Sequence, residues 1–213
     1  MEIEWFGQGR LHIKVSSGVR IICDPYGEGT GYSIPRAAAD IVTVSHDHFD
    51  HSAVDTVSGD PEVIRTEGEF SVKGVDIRGV SSWHDSEGGA KRGPNLIFSI
   101  KADNMNLVHL GDIGEVPDDE KAGVLRPCDI LAVPVGGVFT IGAEEAFRAV
   151  EKLSPQAVIP IHYHTPSNTL GLSDSGEFLS KFMDVRRVKS LDITRERLPE
   201  MAAVFQLKAL GER

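Results

Sequence analysis

The stretch His46-Asp47-His48-Phe49-Asp50-His51 decides how the rest of the chain is read. It follows the apolar run Ile41-Val42-Thr43-Val44, which reads as a buried strand ending at Ser45. Three histidines and two carboxylates therefore arrive in one short loop at a strand end. A solvated acidic turn would account for a lone His-x-His, but not for so dense a run of metal-ligand types. In an extended segment alternate side chains share a side, so His46, His48 and Asp50 are expected to converge while His51 turns toward a neighbouring point. That arrangement suits two adjacent metal ions better than one.

Working outward, the same pattern recurs: a strand, then a polar residue of ligand type. The first quarter reads as strands over residues 3–6, 11–15 and 19–23, the third ending on Asp24-Pro25 and a Gly-rich loop. A β-branched strand over 75–80 runs into His84. Another over 107–109 closes on His109-Leu110-Gly111-Asp112, and one over 157–161 ends on His162-Tyr163-His164. Further strands are expected at 63–66, 96–100, 130–134 and 203–207. Helices are expected at 35–39, from a Ser52 cap onward, at 142–153 (apolar Ala143, Ala146, Phe147 and Val150) and at 175–183 (Phe178, Leu179 and Phe182). Strands first, then mixed strands and helices, predict an α/β (α+β) fold of two sheets with helices outside, as one domain over 1–213.

Composition narrows the function. Hydrophobic residues make up 40% of the 213, and no apolar run reaches the roughly 18–20 residues of a membrane helix. Met1-Glu2-Ile3-Glu4-Trp5 lacks the basic start and apolar run of a secretory signal. Cys23 and Cys128 match no CxxC motif and read as small core residues of a reducing compartment, so the expected location is cytoplasmic. With 22 basic and 32 acidic side chains the net charge is −10, which disfavours nucleic acid as partner and leaves a small-molecule substrate. Arg186, Arg187, Lys189, Arg195 and Arg197 read as a solvated basic face.

The strand-end residues form a set: His46, His48, Asp50, His51, His84, Asp112 and His162. Imidazoles with a few carboxylates suit Zn²⁺, and also Mn²⁺ or Fe²⁺. The absence of thiolates argues against a closed structural site, and seven ligands for two ions leave open positions for water and substrate.

HxHxDH, a downstream His84, Gly111-Asp112 and a strand-terminal His162 together resemble the metallo-β-lactamase superfamily, as does Asp24-Pro25 after a strand. His84-Asp85 before a Gly-rich loop, His109 to Gly114, Gly136-Gly137 and Pro160-Ile161-His162-Tyr163 resemble its small one-domain metal-dependent hydrolases, which include relatives of ascorbate-6-phosphate lactonase. The resemblance implies a four-layer αβ/βα sandwich. It also implies that His46, His48 and His84 hold a first metal, that Asp50, His51 and His162 hold a second, and that Asp112 bridges the two. His162 and His164 compete for the last position; His162 is preferred because it directly follows the strand, leaving His164 as a substrate contact, a proton donor or plain surface. Asp24 is a candidate partner of a metal-bound histidine. His12 and His109 read as structural.

A water between two cations loses a proton near neutral pH, and Asp50 beside it is expected to orient the nucleophile and accept a proton. The expected reaction is hydrolysis of a small ester, lactone or phosphodiester. No GxSxG nucleophile elbow is present. Lys91 and Arg92, in the loop after His84, are candidate contacts for an anionic group. The alternatives are a mononuclear iron dioxygenase of the same superfamily, which keeps the histidines, and a nuclease, which the net charge disfavours. Exposed strand edges leave a homo-oligomer open.

Overall fold

Period-two burial sets the first sheet. The strand β1 (Glu2–Gly7) buries Ile3 and Trp5 and turns Glu2 and Glu4 the other way. A tight turn at Gln8-Gly9 leads into β2 (Arg10–Lys14), followed by β3 (Arg20–Cys23), the two-residue β4 (Ala37–Ala38), β5 (Ile41–Thr43), the two-residue β6 (Val57–Ser58) and β7 (Glu62–Ile64). The chain then lays down β8 (Gly68–Val72), β9 (Val75–Trp83), β10 (Pro94–Ala102), β11 (Met105–His109), β12 (Ile130–Pro134), β13 (Ala157–Ile161), β14 (Val185–Val188), β15 (Leu191–Asp192) and β16 (Ala203–Leu207). The helices are α1 (Asp119–Leu125), α2 (Ala143–Leu153) and α3 (Gly176–Leu179). This computed structural model describes residues 1–212; Arg213, the last residue of the expected domain, lies outside the described residues.

Two mixed sheets result, with orders β15-β1-β2-β3-β5-β7 and β14-β16-β13-β12-β11-β10-β9-β8. One apolar cluster draws on both, from Ile3, Trp5 and Ile41 to Phe98, Leu131 and Ile159. β11, β12 and β13 are buried along their whole length, as parallel strands covered on both faces are. The α2 helix lies over β12 through Ala146, Ala149, Val150 and Leu153. In the first sheet alternation splits neighbours between two clusters. Ile21 and Ile41 face the main core, while Ile22 and Val42 face a smaller one with Ala39, Val44 and Val57 beneath the β4–β6 ribbon.

Three helix expectations are corrected. Within 35–39 there is no helix; Ala37–Ala38 form β4 instead, because their backbone pairs with Val57–Ser58. Ser52 does not cap a helix: its hydroxyl donates back to the His48 carbonyl, and only one 3₁₀ turn, Val54–Thr56, follows. The helix expected over 175–183 shortens to α3, since the Ser175 hydroxyl is taken by Gln206 and the next turns close on i→i+3 bonds from Lys181 and Phe182. Unforeseen elements are α1, capped by the Asp118 carboxylate accepting from the Lys121 N–H, and the strands β6, β8, β14 and β15.

Strand direction positions the site. β3, β5 and β7 run parallel in one sheet, and β11, β12 and β13 in the other. β9 is antiparallel to β10, which is antiparallel to β11, so β9 ends on the same side as β11. Asp24, His46, His84, Asp112 and His162 all follow carboxyl ends of such strands, where open α/β sheets build their sites.

Candidate metal centre

The motif loop is a turn. The His48 carbonyl accepts from the N–H groups of both His51 and Ser52, so the extended alternation expected for His46, His48 and Asp50 does not hold. The turn instead sends His46 and His48 toward His84, and Asp50 and His51 toward Asp112 and His162. Two groups of potential ligands form, His46/His48/His84 and Asp50/His51/Asp112/His162, each with its donor atoms within 4.8 Å of one another. Asp112 reaches both. Its Oδ2 lies 3.1 Å from His162 Nε2, 3.4 Å from His84 Nε2 and 4.0 Å from His46 Nε2, and its Oδ1 lies 3.2 Å from His51 Nε2.

Each ligand-type residue is set by a named contact. Asp24 takes a left-handed backbone (φ 45°) at the end of β3, and its carboxylate accepts from the Ser45 N–H (2.8 Å) and hydroxyl (2.6 Å) and meets His51 Nδ1 at 2.9 Å. Asp24 therefore clamps both ends of the motif and aims His51 Nε2 at Asp112. Gly9 leaves room for that ring, since a Cβ there would lie 2.7 Å from His51 Cε1. Asp112 is placed by Asn95, whose Oδ1 accepts the Asp112 N–H at 2.9 Å while its Nδ2 donates to Ser82 Oγ and the Leu110 carbonyl. His162 has φ 50°, and its N–H donates to the Gln8 carbonyl. The neighbouring Gly136 lies against it, with no space for a Cβ 2.3 Å from the His162 carbonyl oxygen.

The electrostatics prepare the set for cations. Burial opposes ionisation of Asp112, but the His162 and His51 imidazoles outweigh it and hold the carboxyl well below its ordinary value. Burial, with His51 beside it, lowers His46 to about 3, so its ring is neutral and keeps a lone pair. Burial also works against charge on His51, yet Asp112 and Asp50 raise it well above the ordinary value. Carboxylates that favour a proton there favour a divalent cation by the same attraction. The fit is seen in the buried polar atoms that face the cluster: His46 Nε2, His51 Nε2 and Asp112 Oδ1 have no hydrogen-bond partner among the described residues. Such orphans are rare in folded proteins, and three facing one another match a donor set built for metal.

Sequence reasoning missed Gln8 and Asn168. Gln8 is fully buried in the β1–β2 turn; its Nε2 donates to Asp50 Oδ2 at 3.0 Å and lies 3.3 Å from His162 Nε2. Asn168 Oδ1 accepts the Leu170 N–H, so its Nδ2 is the end that donates to Gln8 Oε1 (2.6 Å). That bond in turn points the Gln8 N–H groups at Asp50. No motif announces a turn glutamine; its one signal is its position between two glycines.

A cavity of about 510 Å³ opens over the cluster, in the range that takes small molecules. His48, Asp50, His84, Asp112 and His162 line it, and so do Lys91 and Arg92. His164 does not: it is exposed and lines a separate cavity with Trp5 and Tyr163, so the side chain brought to the cluster is that of His162. His12 stacks on Phe6, and His109 Nε2 donates to the Gly9 carbonyl while Nδ1 accepts the Gly111 N–H, both away from the cluster atoms. No helix among the described residues is long and apolar enough to cross a membrane.

Two mixed sheets with a His/Asp cluster at their carboxyl strand ends define a metal-site sandwich, and comparison with known proteins agrees. The family model for the beta-lactamase superfamily domain matches residues 2–162. A UPF0173 metal-dependent hydrolase of Pyrobaculum islandicum is 30% identical over 222 aligned positions, covering 89% of this chain and 95% of the relative. Another, from Methanopyrus kandleri, is 29% identical, covering 78% and 85%. A crystal structure described as a Zn-dependent hydrolase of the metallo-β-lactamase superfamily, from Thermotoga maritima, superposes with a TM-score of 0.80 at 30% identity, over 97% of this chain and 99% of that one. The chain belongs to the metallo-β-lactamase superfamily and, within it, to the UPF0173 metal-dependent hydrolases.

Proposed function

We propose that this chain is a dinuclear metal-dependent hydrolase of a small ester, lactone or phosphodiester, with zinc the first candidate metal and manganese or iron next. The observation that carries the proposal is Asp112, one carboxylate in reach of both ligand groups. His46, His48 and His84 would hold one ion, Asp50, His51 and His162 the other, with Asp112 between them. Such a pair of ions supplies an acidified water and polarises the substrate oxygen.

The remaining work falls to the chain. Asp50, itself in the second ligand group, would orient the nucleophilic water and accept its proton, with its carboxylate fixed by the Gln8 N–H. Asp24 keeps His51 in the tautomer that leaves Nε2 free, by accepting the hydrogen bond from Nδ1–H. The strand ends exclude bulk water from Asp112 and His162, both nearly fully buried. The acidic surface and the absence of a cationic groove along the cavity among the described residues support a small molecule over nucleic acid.

The test is metal content of protein purified without chelator or added metal, read with hydrolysis of bis(p-nitrophenyl) phosphate and simple lactones. Near two zinc or manganese per chain with turnover, abolished in Asp50→Ala, is expected. One iron per chain, oxygen uptake and no hydrolysis would overturn the proposal in favour of an iron oxygenase.

A further inference from the structure

The wall of the metal cavity has a composition that hydrolysis alone does not require. Phe49 and Phe139 stand at its rim 53% and 36% exposed, with Leu170 beside them. Beside these apolar groups is Arg92, whose guanidinium carbon lies 5.5 Å from the centroid of the Phe139 ring and whose Nη2 donates to the Val138 carbonyl at 3.1 Å. Val138 itself has φ 63°, a conformation a β-branched residue adopts only under strain, and strain of this kind collects at binding sites.

The loop that carries Arg92 is equally fixed. The buried Asp85 carboxylate accepts four backbone N–H groups, those of Glu87, Gly89, Lys91 and Arg92, at 2.7–3.0 Å. Arg92 is thus tied at its own N–H to Asp85 and at its guanidinium to Val138. Lys91 is neutralised by Glu87. Arg92 has no carboxylate within ion-pair distance among the described residues, although the chain carries a net charge of −10. A cation left unpaired in an acidic protein, held rigid and stacked on an aromatic ring, is a prepared anion receptor. Its ring partner and the two other apolar groups prepare a hydrophobic subsite next to it.

From this we infer that the substrate is an amphiphilic anion: a carboxylate or phosphate group read by Arg92, an apolar segment lying on Phe49, Phe139 and Leu170, and the scissile ester or lactone directed at the metal cluster. The inference rests on the hydrolase reading of that cluster but concerns recognition, which is measured separately. In the kinetic experiment, metal-loaded wild type and Arg92→Gln are compared on mono-p-nitrophenyl glutarate and on p-nitrophenyl hexanoate, an anionic and a neutral ester of similar length. The wild type is expected to favour the anionic ester in kcat/KM by about tenfold or more, the worth of a charge-assisted bidentate contact. In Arg92→Gln that ratio collapses toward one through KM, with Arg92→Lys recovering part of it. In the binding experiment, calorimetry follows 4-phenylbutyrate and 4-phenylbutanol on the same proteins, and the acid alone is expected to weaken about tenfold in Arg92→Gln.

A ratio unchanged by Arg92→Gln, with turnover intact, overturns the inference and leaves the hydrolase reading standing. Arg92-dependent binding of the acid with no hydrolysis of either ester does the reverse. Metal content and thermal midpoint, measured on each variant, separate a local effect from a folding one.

Discussion

Gln8→Leu removes a residue that touches no substrate and belongs to no motif, yet the hydrogen-bond chain Leu170–Asn168–Gln8–Asp50 passes through it. Leucine keeps most of the volume, so little of the effect is a cavity. What is lost is an N–H donated to a carboxylate, worth about 1.5–3 kcal/mol, and the acceptor for a buried Asn168 amide, whose stranding costs about 1–3 kcal/mol. A loss near 3 kcal/mol corresponds to a fall in thermal midpoint of about 6–12 °C for a chain of this size. Without its donor Asp50 is free to rotate, and removing such an outer partner lowers metal affinity or activity about 10–100-fold. The assay is metal titration by calorimetry on chelator-stripped protein, with thermal unfolding of the same samples. Asn168→Ala and the double variant complete a cycle in which the two losses are expected to be non-additive, since each breaks the same chain. Unchanged metal affinity and a midpoint within about 2 °C of wild type would refute the reasoning. Strict additivity would show that Asn168 does not act through Gln8.

Acid sensitivity is expected from His12, whose ring accepts from Arg10 Nε at 2.9 Å and which burial and the Arg10 charge lower to about 3 from the ordinary 6.5. A base with a depressed folded pKa contributes stability above its unfolded value and loses it as pH falls below about 6.5. Between pH 7 and 5 wild type should therefore lose about 1–2 kcal/mol more than His12→Gln in urea unfolding, and parallel curves would remove His12 from the account. The glycines give a paired forecast. Gly111→Ala, with φ 59° and a Cβ 2.4 Å from Asn95 Oδ1 and 2.6 Å from Ser45 Cβ, should cost about 2–5 kcal/mol and depress soluble yield. Gly123→Ala, in α1 with nothing within 4 Å of the new Cβ, should raise stability by about 0.5–1 kcal/mol in the same unfolding assay.

The sequence by itself carried the sheets and the ligand types. Strand-end placement of His46, His84, Asp112 and His162 was legible because short β-branched apolar runs bounded by turn residues read as strands and each ligand follows within a few residues. The α2 helix was legible from its apolar stripe. Short elements were not: β4 and the truncated α3 depend on who pairs with a backbone or takes a capping hydroxyl, partners distant in sequence, while α1 is a seven-residue helix whose cap, Asp118, is local. Alternation would have grouped His46, His48 and Asp50; the division of ligands came from the family resemblance, and the folded turn that parts His48 from Asp50 supplies its physical reason. The sequence already preferred His162 to His164 for following its strand directly, and the fold gives the cause, a left-handed residue that turns one ring inward and leaves the other outside. Tertiary structure alone brought out Gln8, Asn168 and the pairing of Arg92 with Phe139, contacts across 42 to 160 positions of chain. Local periodicity reports which face a residue takes, but only the folded backbone reports what it meets there.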